Sequence, residues 1–164
     1  MKNSKVDVSL LDSIKSVAIG ISSLLMLNDR GTAFAVGLNN KYMLGTSDSK
    51  SNANVISEKV IKIRANNVLS AILTNHGKIS YWGMEILTGD PVKKPVSLKN
   101  KNNIEFIDIQ IGCSHIVALA KDGYVYTCGH NNQFQVSFSS ILFLNILIFL
   151  EILFKYFVFF FLFL

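Results

Sequence analysis

The chain has 164 residues, of which 50% are hydrophobic and 16% are charged, and its formal net charge is +5. This length allows one domain, or a small domain with an appendage. The apolar content, the ten scattered glycines and the two cysteines exclude collagen-like, disordered and disulfide-framework proteins. Residues 141–164 contain one Lys and one Glu among Phe, Leu and Ile, so the net charge lies in residues 1–140. We therefore expect a mildly basic domain followed by an apolar tail.

The N-terminal region has no recognisable secretory signal, because the first apolar run, residues 17–27, follows Asp7 and Asp12 rather than a basic segment. Cys113 and Cys128 have no metal-ligand spacing. We predict that both are reduced thiols in the core of an intracellular protein, located in the nucleus or the cytoplasm.

The chain repeats itself with a period of 46 residues, which is the main signal in the sequence. Two glycine columns, six residues apart, contain six of the ten glycines. The first column is Gly31, Gly77 and Gly123, and the second is Gly37, Gly83 and Gly129. Apolar positions follow the same register, as in Val17, Ile63 and Ile109, and in Leu27, Leu73 and Leu119. We therefore predict an N-terminal segment, 1–13, and three repeats within residues 14–140, at about 14–59, 60–105 and 106–137.

A third column of the repeat is incomplete. Gly20 and Gly112 occupy it in the first and third copies, whereas the middle copy has Asn66.

Each copy reads, in chain order, as a set of short antiparallel strands. A first run alternates apolar and polar residues, as in 107–111, and a second run such as 70–73 is apolar on both faces. An Asp- or Asn-containing turn with a glycine then leads into a third strand, as in 124–128. The rest of each copy is polar, with room for a short outer strand. Three to four antiparallel strands in each repeat predict the blades of a β-propeller.

The third copy resembles the regulator of chromosome condensation repeat. Its segments GCSHIVAL (112–119) and KDGYVYTCGHN (121–131) are similar to the family pattern G-x-x-H-T-x-A-L followed by D-G-x-V-Y-x-W-G-x-N. The motif residues that we assign from this resemblance are Gly112, His115, Asp122, Asn131 and, in the middle copy, Trp82. The resemblance covers about residues 14–136, and the middle copy departs from the pattern at Asn66.

The resemblance implies a seven-bladed propeller with four strands in each blade. Three copies cannot close such a ring, and an open set of blades has unpaired sheet edges and one-sided cores. We therefore predict an all-β fold, a partial β-propeller of about three four-stranded blades that belongs to a longer protein, followed by a hydrophobic C-terminal helix.

Two interpretations of the tail, residues 141–164, stay open. As a helix it is long and apolar enough to cross a bilayer once, with Glu151 and Lys155 spaced to satisfy each other. Alternatively, Gln135, Val136 and Ser137 stand where the repeat should continue, and they correspond to codons typical of an intron start that is read through.

The sequence contains no catalytic, metal or cofactor constellation. His76, His115 and His130 are separated at turns and repeat positions, and the glycines do not form a phosphate-binding loop. We expect His115 to orient backbone within the blade core. Trp82 and the tyrosines at repeat positions, Tyr81, Tyr124 and Tyr126, are expected to pack inside the blades.

A basic loop follows the second copy and contains Lys93, Lys94, Lys99 and Lys101. We interpret it as a solvated loop, with an acidic partner such as nucleosomal or phosphate backbone as the alternative.

The function that we predict is a non-catalytic protein-interaction module, with no cofactor and no small-molecule substrate. The resemblance implies a further hypothesis, a guanine-nucleotide exchange factor for a Ran-like small GTPase, possible only in a complete form, with chromatin as a second partner. A membrane-anchored repeat protein is the third hypothesis, and it depends on the tail.

Overall fold

The computed structural model describes residues 13–39, 41–47, 54–100 and 102–129, which form eleven β-strands and no helix. All strand pairs are antiparallel, and they make three separate sheets. This all-β architecture confirms the fold class predicted from the repeat. Residues 141–164, for which we predicted a helix, lie outside the described residues, as do Asn131, His130 and Lys101.

The strands follow the sequence in simple order. The first sheet contains β1 (Ile14–Ile19), β2 (Ser23–Asn28), β3 (Ala33–Gly37) and β4 (Asn54–Ser57). The second contains β5 (Val60–Ala65), β6 (Leu69–Thr74), β7 (Ile79–Met84) and β8 (Pro91–Ser97). The third contains β9 (Phe106–Ile111), β10 (His115–Ala120) and β11 (Val125–Gly129), so it has three strands within the described residues rather than the four predicted.

The 46-residue repeat is also the register of the hydrogen-bonded pairs. Ile19 pairs with Leu24, and the equivalent pairs in the other sheets are Ala65 with Ser70 and Ile111 with Ile116. Each sheet also has an irregularity at the same place, after the first residue of its first strand, between 14 and 16, 60 and 62, and 106 and 108. The first strand of each sheet therefore departs from regular pairing at the equivalent position.

The hydrophobic core lies between successive sheets. We call the side of a sheet that packs on the next sheet its trailing face, and the opposite side its leading face. The core between the first and second sheets is built from Leu25, Leu27, Ala33 and Ala35 of one trailing face and Val60, Ile63, Ile72 and Trp82 of the next leading face. The core between the second and third sheets repeats this with Ala71, Leu73, Ile79 and Tyr81 against Phe106, Ile109, Ile111 and Ile116. Burial of these faces against each other removes apolar surface from water and holds the sheets in sequence.

Two residues expected in the core lie at the surface. Cys113 is exposed, because it lies in the short turn between β9 and β10, and only Cys128 is partly buried. Tyr124 is also exposed, because it lies in the turn just before β11. Both cysteines are free thiols, as predicted.

The basic segment differs from its prediction in secondary structure. Lys93 and Lys94 belong to the outer strand β8 instead of a loop, whereas Lys99 follows the strand. All three are exposed, and the Lys93 ammonium lies 5.1 Å from the centroid of the Tyr42 ring, which is within the range of a cation–π contact.

Candidate interaction surface

The strand directions give the set of sheets two different ends. We call the end formed by the β2–β3, β6–β7 and β10–β11 turns the turn end. The opposite end, formed by the β1–β2, β5–β6 and β9–β10 turns, we call the loop end, because the connections after β3 and β7 also begin there.

The first glycine column lies at the turn end and links each sheet to the next one. The amides of Gly31, Gly77 and Gly123 each donate to the carbonyl three residues earlier, at 3.0 Å in all three turns. The Gly31 carbonyl also accepts from the amide of Val60 at 2.8 Å, and the Gly77 carbonyl accepts from Phe106 at 3.1 Å. The turns at Gly31 and Gly77 therefore each hold the first residue of the following sheet.

The charges at the turn end are of both signs. Lys121 pairs with Glu105 at 2.9 Å, and each charge favours the ionised form of the other, so the pKa of Glu105 is lowered and the pKa of Lys121 is raised. Asp122, a motif residue, accepts a 3.0 Å hydrogen bond from the amide of Tyr124 and so shapes the β10–β11 turn. These contacts organise turns, and exposed pairs of this kind add little stability.

The second glycine column lies at the loop end, where side chains have no space. Gly37, Gly83 and Gly129 have φ angles of 133°, 101° and 134°, which L-residues rarely adopt. A Cβ on any of them would collide with the backbone carbonyl just before the neighbouring strand, that of Ser22, Val68 or Ser114 respectively. The requirement for glycine is thus both conformational and steric.

The third glycine column packs against the first residue of the next strand. A Cβ at Gly112 would collide with the His115 ring, and a Cβ at Gly20 would lie 2.7 Å from the Ser23 hydroxyl. His115 is half-buried, and burial lowers its pKa because the imidazolium loses hydration. Its ring therefore lies over Gly112, the glycine that follows β9, and its role in orienting backbone stays a prediction.

Asn66, which breaks the glycine column, makes hydrogen bonds that a glycine could not make. Its side-chain oxygen accepts from the amides of Val68 at 2.9 Å and Leu69 at 2.8 Å, which closes the β5–β6 turn. Its amide nitrogen donates to the Gly112 carbonyl at 2.7 Å, in the equivalent turn of the third sheet. The departure from the motif is therefore a direct link between the second and third sheets.

Trp82, a predicted motif residue, is fully buried between the first two sheets. Its indole nitrogen donates to the Met43 carbonyl at 2.8 Å, so it also fixes the connection that follows β3.

A second polar link crosses the interface between the second and third sheets. The Asp108 carboxylate lies 2.8 Å from the Lys62 ammonium and 3.6 Å from the Arg64 guanidinium. The Arg64 guanidinium also donates a 2.9 Å hydrogen bond to the side chain of Gln110. Arg64 and Gln110 occupy the same repeat column, 46 residues apart.

Three exposed aliphatic side chains lie at the loop end, and the sequence patterns did not single them out. Ile21 is 67% exposed and Leu38 is 62% exposed, and the Leu38 amide donates to the Ser22 carbonyl at 2.8 Å, so the two lie side by side. Leu87, in the β7–β8 connection at the same end, is also 62% exposed. Grouped exposed aliphatic residues are typical of protein-binding surfaces. For Ile21 and Leu38, the signal in the sequence was an aliphatic residue next to a turn glycine.

The potential metal ligands of the described residues form no cluster. No group of three His, Cys, Asp or Glu residues there could hold a metal ion. Burial, and then the hydrogen bond to Glu85, raises the pKa of Tyr81, while burial raises the pKa of Cys128, so both stay protonated at neutral pH. Across the described residues, no helix long and apolar enough to span a membrane is present.

The fold places the chain in a class of proteins, because its three repeated antiparallel sheets form a partial β-propeller. Residues 106–135 match the family model of the regulator of chromosome condensation (RCC1) repeat. The chain is 26% identical over 151 residues to the human regulator of chromosome condensation, which covers 84% of this chain and 36% of the relative. It is 28% identical over 142 residues to the Xenopus laevis regulator, covering 79% of this chain and 34% of the relative.

The crystal structure of Prp20p from Saccharomyces cerevisiae, reported with its binding properties to Gsp1p and histones, has the same fold. It superposes with a TM-score of 0.64 at 21% identity, over 78% of this chain and 35% of Prp20p. The match over residues 106–135, the relatives and the shared fold confirm the predicted resemblance to the RCC1 repeat family, and the chain spans about a third of the length of the curated relatives that it matches.

Proposed function

We propose that the chain is a sector of an RCC1-type propeller that acts as a protein-interaction module, without covalent chemistry. The observation that carries this proposal is the loop end, where Ile21, Leu38 and Leu87 stay exposed on a rigid framework of glycine-closed turns. Binding sites commonly consist of loops that a rigid scaffold positions. The exposed aliphatic side chains would form the apolar centre of the contact, and nearby polar groups its rim.

The first test uses a purified Ran-like small GTPase and core histones as defined probes, with the full chain immobilised. Replacement of Ile21 or Leu38 by Asp places a charge in the apolar centre, so we expect binding to fall at least tenfold. Val55→Asp is the matched control, because Val55 is 54% exposed but lies on the outer strand β4. Equal binding by all three variants would contradict the role of the loop end.

The finer proposal is guanine-nucleotide exchange on a Ran-like GTPase. It is supported by the similarity to the regulators of chromosome condensation and to Prp20p, which was studied for binding to Gsp1p and histones. An exchange factor acts by binding the nucleotide-poor state of the GTPase more tightly than the loaded state. Release of a fluorescent guanine nucleotide from the GTPase should therefore accelerate when the full chain is added. An unchanged release rate would contradict the exchange proposal and leave the proposal of an interaction module.

We also propose a cellular location and a second partner, chromatin. A nuclear or cytoplasmic location, with chromatin as a second partner, is supported by the names of the relatives. Lys93, Lys94 and Lys99 provide an exposed basic strip that an acidic partner would contact. Nucleosome binding that survives Lys93→Gln and Lys94→Gln would contradict this part.

Membrane anchoring depends on residues 141–164 alone, outside the described residues. Carbonate extraction of cell membranes tests it, because an inserted helix stays in the pellet whereas a peripheral protein is released. Release of the full chain would remove this alternative.

A further inference from the structure

Three polar contacts connect the first strand of the second sheet to the first strand of the third, and each joins two residues of the same repeat column. The pairs are Lys62 with Asp108 at 2.8 Å, Arg64 with Gln110 at 2.9 Å and Asn66 with Gly112 at 2.7 Å. We call this row the polar seam. We call the packing of the second sheet on the first the first joint, and the packing of the third sheet on the second the second joint.

The Asp108 carboxylate is the centre of the polar seam. Its Oδ1 atom lies near both cations, at 2.8 Å from Lys62 and 3.6 Å from Arg64, and it accepts a 2.7 Å hydrogen bond from the amide of Ile109. The side chains of Asp108, Lys62 and Arg64 are 25%, 35% and 29% exposed. Because these charges are only partly buried, dissolved salt can still screen them.

The first joint has no ion pair among the described residues. The first sheet has Ser16, Ala18 and Gly20 in the columns that form the polar seam. Ser16 and Ala18 are short and uncharged, and a Cβ at Gly20 would lie 2.6 Å from the Asn66 carbonyl oxygen. The first joint therefore depends on apolar contacts and on hydrogen bonds without an ion pair.

The apolar columns alone do not distinguish the two joints. The trailing face of the first sheet contributes Leu25, Leu27, Ala33 and Ala35, and that of the second sheet contributes the same columns, Ala71, Leu73, Ile79 and Tyr81. Repeat proteins are prone to assemble with the wrong neighbour, since their units are similar. A polar contact that forms in one pairing and leaves a charge unpaired in the other discriminates between the two.

We propose that the polar seam is the specificity determinant of the second joint. It directs the third sheet onto the second sheet rather than the first, and it makes the second joint, but not the first, sensitive to ionic strength. Against the first sheet, Asp108 would face Ser16 and lose both of its cations. The inference concerns the assembly of the sheets and is independent of the proposed binding partners.

The experiment measures amide hydrogen exchange in the full chain and compares two amides of one molecule. The Phe106 amide reports on the second joint through its bond to the Gly77 carbonyl, and the Val60 amide reports on the first joint through its bond to the Gly31 carbonyl. Asp108→Asn keeps the shape of the side chain and removes its charge. We expect the ratio of the Phe106 rate to the Val60 rate to rise about two- to fivefold.

A salt titration tests the same ratio in the original chain. Raising NaCl from about 0.05 M to about 1 M shortens the screening length, so the ratio should rise in the original chain and stay constant in Asp108→Asn.

Two further variants separate the polar seam from a general loss of stability. Asp108→Lys opposes like charges and should raise the ratio more than Asp108→Asn does. Lys62→Glu combined with Asp108→Lys restores a pair of opposite charges and should return the ratio towards its original value. Lys121→Gln is the matched control, because its 2.9 Å ion pair with Glu105 flanks the third sheet and does not cross the second joint. The ratio should not change in this control.

Four results would overturn the proposal. They are an unchanged ratio in Asp108→Asn, an equal acceleration of both amides, a rise in Lys121→Gln as large as in Asp108→Asn, and a double variant whose ratio stays at the value of Asp108→Lys.

Discussion

The leading faces of the first and second sheets have the same pattern but different surroundings. Val17 is 59% exposed, whereas Ile63, in the same repeat column, is 1% exposed. The two strands also share the irregularity after their first residue and the same pairing with the following strand. At positions 17 and 63 the repeat thus determines the type of residue and the strand register, whereas the burial of the side chain depends on whether another sheet packs against the strand.

The largest loss of stability that we expect comes from the core between the first and second sheets. Trp82→Ala should lower the free energy of unfolding by about 3–5 kcal/mol, because it empties the largest buried position and removes the hydrogen bond to Met43. Urea denaturation measures the change. Trp82→Phe keeps most of the apolar volume but leaves the Met43 carbonyl without its donor, so it should cost about 1–3 kcal/mol. A change below about 1 kcal/mol for Trp82→Ala would mean that the two sheets do not share a core.

A matched pair of truncations compares the buried position 63 with the exposed position 17 of the same repeat column. Ile63→Ala should cost about 2–5 kcal/mol, because its side chain fills the core between two sheets. Val17→Ala should cost less than about 0.5 kcal/mol in the isolated chain, because its side chain is largely in water. Denaturation of both variants at the same low protein concentration checks the difference. Equal costs at positions 17 and 63 would contradict the assigned surroundings.

A third prediction compares two glycines with positive φ. Gly83→Ala should cost about 1 kcal/mol for the left-handed conformation and about 1–3 kcal/mol more for the collision with the Val68 carbonyl. Gly89→Ala should cost only the conformational part, about 1 kcal/mol, because no atom lies within 4 Å of its Cβ position. Thermal denaturation of the two variants measures the difference, and a Gly89 variant as unstable as the Gly83 variant would refute the steric account.

The smallest effect that we expect concerns pH and His115. Burial holds its pKa in the folded chain below the value of about 6.5 that it has when unfolded. Below about pH 6.5 the unfolded chain therefore binds more protons, and this contribution to stability, complete at higher pH, is lost as the pH falls through the folded pKa. His115→Gln removes the titrating group, so the stability difference between pH 7.5 and pH 5.5 should be smaller than in the original chain. An identical pH dependence would assign the effect to other groups.

Much of the fold could be predicted from the sequence because glycine has a strict structural meaning at turns. The second glycine column predicted strand ends, and its members do lie against neighbouring carbonyls. Asn66 was only recognised as a departure, because its role depends on Gly112, a contact across 46 residues. The exposed group at the loop end was missed for a similar reason, since periodicity does not distinguish a covered aliphatic side chain from an uncovered one.

Cys113 and Tyr124 illustrate the same limit at single positions. Both residue types are common in cores, but each of these two lies in a turn just before a strand, where the side chain reaches water. The third sheet ends with β11 within the described residues, so the predicted fourth strand of that blade stays a prediction.

Amide hydrogen exchange of the full chain tests the central claim most directly, that the three repeats are neighbouring sectors joined in the same way. The amides of Val60 and Phe106, each bonded to a glycine carbonyl of the preceding sheet, should be protected to a similar degree as the strand amides that follow them. If both amides exchange at the rate of an open linker while the strands stay protected, the sheets fold separately and the account is wrong.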